Sequence, residues 1–308
     1  MTDAALLHDL EPVAARLLDA HLASAPEWFP HDLVPWERAA DGDPRLPWSE
    51  ADEAAIDPAV RSSLFVNLLT EDNLPYYFRT IEALFGRDSA WGTWVRRWTA
   101  EEGRHSIVLR DYLTVTRSID PIRLERARMA QVERGEVPEM DTVADGIVYV
   151  TLQELATRVA HHNTAKMLTD RTGYEVMKRV AADENRHYLF YRGLGTAALE
   201  LDPSAMVMAI ERQVRTFEMP GTGIVDFEAH ARAIALAGIY DLTIHHDAVL
   251  TPVIVRNWDL EHLDGLDAEA EVARGQILKR LSRIARAGRR LDARRLEAQA
   301  APKVPVSV

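Results

Sequence analysis

Cysteine is absent from the 308-residue chain, which excludes disulfides, thiolate nucleophiles, thiolate zinc sites and an iron–sulfur cluster of its own. Any one-electron chemistry therefore draws its electrons from outside. Basic charge is in short supply: 36 Lys and Arg face 48 Asp and Glu, a formal net charge of −12. Nucleic acid is disfavoured as a partner, because counterion release needs a broad basic face. Nowhere do 18 apolar residues run uninterrupted, the longest candidates being short stretches such as Gly146 to Leu152 and Ala233 to Tyr240, so an integral membrane protein is not expected. The start, Met1-Thr2-Asp3, lacks the basic opening and apolar run of a signal peptide, and a cytoplasmic location is expected. Gly221-Thr222-Gly223 lacks the third glycine and the preceding strand of a dinucleotide fingerprint. Alternating β-branched strands are scarce as well. What remains, with 47% hydrophobic residues, is a soluble globular chain of one or two domains.

Proline placement divides the chain, since an interior proline removes a helical hydrogen bond and clashes with the preceding turn. Pro26, Pro30, Pro35, Pro44 and Pro47 crowd one stretch, interleaved with Trp28, Trp36 and Trp48, which predicts an irregular arm packed by its indoles. No proline lies between Pro75 and Pro121 or between Pro138 and Pro203, so those spans can hold long helices. Trp91, Trp94, Trp98, Glu102 and His105 fall on one helical face. Breaks are expected at Gly86-Arg87-Asp88, with Asp88 capping the next helix, and at Thr172-Gly173. The pattern predicts an all-α protein with long helices over 56–85, 88–117, 142–171 and 174–200. Further helices are expected over 204–218, 224–250 and 266–298, with a frayed tail from Gln299.

Two segments resemble each other: Glu101-Glu102-Gly103-Arg104-His105 and Asp183-Glu184-Asn185-Arg186-His187. A Glu and a His three apart on a helix share a face about one turn from each other, so both can reach one metal ion. Glu71 precedes Glu102 by 31 residues and Glu154 precedes Glu184 by 30. Helix, turn and antiparallel helix bring positions about 30 apart back to the same level across a bundle. Glu71, Glu102, His105, Glu154, Glu184 and His187 are thus expected to converge at mid-height, in the di-iron carboxylate pattern of ferritin-like bundles. Four carboxylates balance two ferrous ions, and carboxylate with imidazole suits iron or manganese better than zinc. A lone Glu-x-x-His is usually a solvated ion pair; the repetition is what points to a site.

Around this set, Asp183 and Glu101 can each orient a histidine by accepting its second ring proton, although Glu101 serves equally well as a surface charge. Arg104 and Arg186 either pair with such carboxylates or face solvent. Pro75 sits four residues after Glu71 and cannot donate to its carbonyl, so a local irregularity is expected at that turn. Thr157, one turn beyond Glu154, either offers its hydroxyl to the site or bonds back to its own helix. His161, His230, His245 and His246 lack a matching frame and read as surface or core histidines.

Over residues 20 to 290 the sequence resembles the soluble acyl-acyl carrier protein desaturases, the plastid stearoyl type and its actinobacterial relatives. The likeness is carried by Glu71-Asp72-Asn73-Leu74-Pro75-Tyr76, Trp98-Thr99-Ala100-Glu101-Glu102-Gly103-Arg104-His105, Gln153-Glu154-Leu155-Ala156-Thr157, His162-Asn163-Thr164-Ala165 and Ala182-Asp183-Glu184-Asn185-Arg186-His187. The resemblance implies one ferritin-like desaturase domain over 1–308. It would comprise an N-terminal helix and arm to residue 50, a di-iron core over 51–200, added helices over 201–298 and a flexible tail. It also implies a homodimer whose two iron ions use O2 and two electrons to take two hydrogens from an acyl chain, with the six residues above as ligands. By the same likeness Thr157 matches a threonine near the oxygen site. Trp28 looks like the surface tryptophan of an electron path with Asp183 as its inner relay. The sequence departs from the plant pattern in lacking a transit peptide, in reading Leu155 where the plant motif has Arg, and in being shorter between the first two helices.

The implied partners are an acyl carrier protein and a ferredoxin-like donor. An acidic carrier needs basic ground, and Arg274, Lys279, Arg280, Arg283, Arg286, Arg289 and Arg290 are the densest supply; a solvated helix face is the commoner role for such a run. The rivals are another di-iron oxidase or hydroxylase, an iron-storage bundle, or a desaturase-like bundle that binds metal without turnover. Radical-forming subunits place a tyrosine four residues beyond the first ligand histidine, where this chain has Leu109.

Overall fold

The structure is a computed structural model and describes residues 1–40, 48–49, 56–218, 221 and 223–300. Its helices are α1 (Asp3–Ser24), α2 (Pro30–Leu33), α3 (Glu37–Ala40), α4 (Pro58–Glu71), α5 (Leu74–Phe85), α6 (Ser89–Val115) and α7 (Pro121–Arg134). There follow α8 (Val143–Met167), α9 (Arg171–Leu201), α10 (Pro203–Thr216), α11 (Phe227–Leu236), α12 (Leu242–His245), a π-helical stretch (His246–Asn257) and α13 (Ala268–Ala300). No strand occurs among the described residues, and the chain is all-α as expected. None of the described helices is long and apolar enough to cross a membrane.

The bundle is built from α4–α5, α6, α8 and α9, with α1 packed across α6, α8 and α9, α11 against α4, and α10 between α8 and α13. Two apolar cores fill it. One gathers Trp91, Trp94 and Trp98 of α6 with the first half of α8 and the second half of α9. The other joins α4 to Val108, Leu109 and Leu113 of α6 and to Val176 and Val180 of α9. Mid-helix polar residues are left at the seam between these cores, and burial there takes them out of water.

Several boundaries differ from the sequence expectation for identifiable reasons. The helix expected over 56–85 is split between Glu71 and Leu74, where Pro75 cannot continue the hydrogen-bond ladder. Gly86 ends α5 with φ +91 as expected, and Asp88 occupies the N-cap of α6 without a side-chain capping bond. The second break falls earlier than Thr172-Gly173. Asp170 caps α9 by accepting from the Gly173 amide at 3.0 Å, and Gly173 is an ordinary helical residue whose missing Cβ leaves room for the Tyr112 hydroxyl. The stretch 224–250 is not one helix, because Gly238 turns at φ +73 and Asp241 caps a new helix by accepting from the Ile244 amide at 2.8 Å. That helix runs on through Pro252 by widening into π-helix, with the Trp258 amide on the Val253 carbonyl at 3.0 Å.

Helix α7 was not expected at all, although Asp120 accepts from the Ile122 amide ahead of it and Pro121 opens it. In the Trp-rich arm the indoles diverge: Trp28 is buried, the Trp48 indole donates to the Arg117 carbonyl at 3.1 Å, and Trp36 is 48% exposed. Pro44, Pro47 and residues 301–308 of the expected tail lie outside the described residues; α13 itself runs to Ala300.

Candidate metal centre

Glu71 is the last residue of α4, and the turn that carries it is pinned from both sides. The Asp72 and Asn73 amides close on the Leu68 and Thr70 carbonyls at 3.0 and 3.1 Å. Arg128 of α7 grips both oxygens of Asp72 at 2.5 and 3.1 Å. Glu102 and His105 share the middle of α6, Glu154 comes from α8, and Glu184 and His187 from α9. All six are buried.

They form two groups: Glu71, Glu102, His105 and Glu184 in one, Glu102, Glu154, Glu184 and His187 in the other, with candidate ligand atoms within 4.8 Å of one another. Glu102 and Glu184 belong to both. His105 Nδ1 stands 3.2 Å from Glu102 Oε2 and 3.3 Å from Glu184 Oε1. His187 Nδ1 stands 2.7 Å from Glu102 Oε1 and 3.5 Å from Glu154 Oε2. The buried atoms Glu102 Oε1, Glu154 Oε2, His105 Nδ1 and His187 Nδ1 have no hydrogen-bond partner. Unpartnered oxygen and imidazole lone pairs converging in a dry interior are what a hard to borderline divalent cation accepts. The residues fit a metal.

The outer contacts run crosswise between the helices. Glu101, beside the ligand candidate of α6, accepts His187 Nε2 of α9 at 3.0 Å. Asp183, beside that of α9, faces His105 Nε2 of α6 at 3.6 Å. His187 thus has one nitrogen hydrogen-bonded to a carboxylate and the other aimed inward, as orientation of a metal-binding histidine requires, while His105 Nε2 faces Asp183 without a hydrogen bond. Both carboxylates are charged anchors. Burial pushes Glu101 up, but bonds from His187 and His21 hold it well below its usual range. Asp183 is likewise held down by His105, Arg179 and Trp28 against the cost of burial. Arg104 and Arg186 reach Asp183 at 3.1 and 2.7 Å rather than solvent.

Trp28 corrects one expectation. It is no surface indole but 8% exposed, because Arg104 and Arg179 lie over its faces. Its Nε1 donates to Asp183 Oδ2 at 2.7 Å and its ring stacks on His105 at 6.4 Å and 16°.

Three further side chains, Thr157, His161 and Trp98, adjoin the ligand candidates. The Thr157 hydroxyl lies 2.9 Å from Glu184 Oε2 and 3.1 Å from the Gln153 and Glu154 carbonyls, so both sequence alternatives are in reach and it adjoins a ligand candidate. His161, read from the sequence as a surface or core histidine, is in fact at the site: Nε2 is 3.5 Å from Glu71 and 3.7 Å from Glu184. Burial lowers its pKa, but the Glu184 and Glu71 carboxylates outweigh that and hold it up at about 9. Its position seven residues after Glu154 places it on the inward face of α8, a signal carried by the helical period rather than by a Glu-x-x-His frame. Trp98, which the sequence placed on the same helical face as Glu102 and His105, donates its Nε1 proton to Glu154 Oε1 at 3.0 Å. A cavity of about 110 Å³ opens onto Glu71, Thr157 and His161 between α4, α8 and α11, walled by Val66, Ala160, Phe227, Ala231, Ile234 and Tyr240.

Fold and site together define a helical bundle with a buried carboxylate–histidine centre able to hold metal ions, beside an apolar cavity. A family model described as fatty acid desaturase matches residues 2–308, and the chain belongs to that family. The acyl-acyl carrier protein desaturase DesA1 of Mycobacterium tuberculosis is 39% identical over 293 residues, covering 90% of this chain and 84% of that protein. A chloroplastic stearoyl-acyl carrier protein 9-desaturase of Arabidopsis thaliana is 32% identical over 295 residues, covering 87% and 73%. The X-ray structure of the mycobacterial acyl-acyl carrier protein desaturase DesA2 superimposes with a TM-score of 0.69 at 26% identity, covering 89% of this chain and 99% of that one.

Proposed function

We propose that this protein introduces a double bond into a fatty acyl chain carried on acyl carrier protein, using O2, an external ferredoxin-like donor and two iron ions held by Glu71, Glu102, His105, Glu154, Glu184 and His187. The single observation that carries this reading is the pair of ligand groups sharing Glu102 and Glu184. The overall stoichiometry closes: O2 takes two electrons and two protons from adjacent methylenes and two of each from outside, leaving an alkene and two waters. A bound iron pair would supply the oxygen-activating redox chemistry that no side chain offers.

The chain's own residues do the rest. Val66, Phe227 and Ile234 line the cavity beside Glu71 that would receive part of the acyl chain, and its apolar walls would keep water from the reacting methylenes. Trp98 and Thr157 hold Glu154 and Glu184 in place by hydrogen bonds. Glu101 holds the His187 imidazole by a hydrogen bond, and the Asp183 charge faces that of His105. The relatives' names favour acyl carrier protein as the substrate's carrier, and α13 exposes Lys279, Arg283, Arg286, Arg289 and Arg290 as ground for an acidic protein. We take the working form to be a homodimer.

Turnover with iron-loaded protein, reduced ferredoxin, O2 and acyl carrier proteins bearing chains of graded length is expected to yield unsaturated acids by mass spectrometry. Iron-loaded protein that yields none with any chain would overturn the reading.

Metal uptake is expected to strengthen as pH rises. Burial and the Glu184 charge push the Glu102 and Glu154 carboxyls up. Burial alone would lower His105 and His187, but the carboxylates around them hold both well above 6.5. These upward shifts favour the protonated forms, and an entering cation must displace those protons. Calorimetric titration with Fe2+ in buffers of different ionisation heat should show protons released, with apparent affinity falling from about pH 8 to about pH 6.5. A flat affinity across that window contradicts the assignment.

A further inference from the structure

The segment of chain ending α1 carries two aromatic rings, Trp28 and His21, that serve opposite halves of the centre. Trp28 Nε1 and His105 Nε2 converge on one oxygen of Asp183, at 2.7 and 3.6 Å. Seven residues earlier, His21 Nε2 and His187 Nε2 converge on one oxygen of Glu101, Oε2, at 2.9 and 3.0 Å. The rings repeat the relation as well. Trp28 stacks on His105 at 16°, and His21 stacks on His187 at 6.0 Å and 26°. In each half a ring donor from residues 21–28 and a candidate metal-binding imidazole share a carboxylate that neighbours a ligand candidate on the other helix.

His21 is 5% exposed. Its Nδ1 has no hydrogen-bond partner, so the proton of a neutral ring belongs on Nε2, directed at Glu101. The edge of Trp94, at 5.0 Å and 88°, fixes the ring from the side. Arg97 occupies the other Glu101 oxygen at 2.6 Å, which leaves Oε2 to the two histidines. That oxygen, fixed by His21, holds the Nε2 proton of His187 and leaves its Nδ1 lone pair facing Glu102 and Glu154. Without the His21 donor the carboxylate is free to turn toward Arg97 and Arg104, and His187 loses the contact that sets its tautomer and its aim.

We propose that His21 is a positioning residue for one of the two metal positions, the one bordered by Glu154 and His187, acting through Glu101. The inference rests on the two-metal reading above and is separable from it. Wild-type protein, His21→Phe and His21→Gln, each stripped with chelator, are titrated anaerobically with ferrous iron. Wild type is expected to take up two ions. His21→Phe should weaken one of them by about 10–100-fold, the usual cost of losing an outer partner, and leave the other unchanged. His21→Gln, which keeps an N–H donor, should restore most of the loss.

The same substitution made in a His187→Ala background is expected to add nothing, whereas in a His105→Ala background it should still weaken the remaining ion. Two ions bound by wild type and bound identically by His21→Phe sink this inference and leave the functional reading standing. So does an equal weakening of both ions with a lowered melting temperature, which marks a merely structural role. Wild-type protein that binds no iron pair overturns both.

Discussion

Glu184→Ala is expected to leave a folded bundle that neither holds a metal pair nor forms unsaturated product. Glu184 belongs to both ligand groups, and its oxygens stand 3.3 Å from His105 and 2.9 Å from the Thr157 hydroxyl. Its loss therefore weakens both positions together, where loss of Glu71 or Glu154 weakens one. The fall in activity should exceed the roughly 100-fold that losing an outer partner costs. Thermal unfolding separates this from misfolding. A ligand that binds only the folded state adds about 2.7 kcal/mol at 100 times its Kd, so wild-type protein should melt higher with Fe2+ while Glu184→Ala should melt at the same temperature with and without it. An iron-dependent rise as large as that of wild type would refute the shared-ligand assignment.

Trp94→Ala is expected to be the most destabilising of the core truncations near the site. Trp94 is fully buried, stacks on Phe190 at 3.6 Å and 10°, and meets His21, His187 and Tyr191 edge-on. Removing a buried indole leaves a cavity and costs about 3–5 kcal/mol, which at this chain length lowers Tm by roughly 5–10 °C. The same void frees His21 and His187 to move, so iron affinity should fall as well. Trp36→Ala is the control: that indole is 48% exposed and its loss should stay within about 0.5 kcal/mol. Equal effects from the two substitutions would mean that Trp94 does not anchor this core.

Relations along one helix were legible because an α-helix fixes them. Glu102 with His105 and Glu184 with His187 share faces in any helix, whatever surrounds it. Pro75 likewise dictated a broken turn after Glu71 from its missing amide alone. Relations between helices were legible only in outline. The spacing of about 30 residues brought four carboxylates and two imidazoles to one level, but it could not say that Glu101 would serve His187 and Asp183 His105, each on the opposite helix. His161 shows the same limit: its inward face follows from the period, while its meeting with Glu71 and Glu184 depends on how closely α4 and α9 approach α8. Trp28, expected at the surface, is covered by arginines from two other elements, a fact of packing with no trace in the local pattern.

By itself, then, the sequence determined the helical class, the duplicated halves and the six residues that meet at the centre, since rise and turn per residue are set by covalent geometry and hydrogen bonding. Only the tertiary structure decided which oxygens are shared, which imidazole nitrogen faces inward, which of the buried rings touch the centre and where the apolar cavity opens. Those depend on distances of a few tenths of an ångström between side chains on separate helices, and they are fixed when the two cores close on either side of the site.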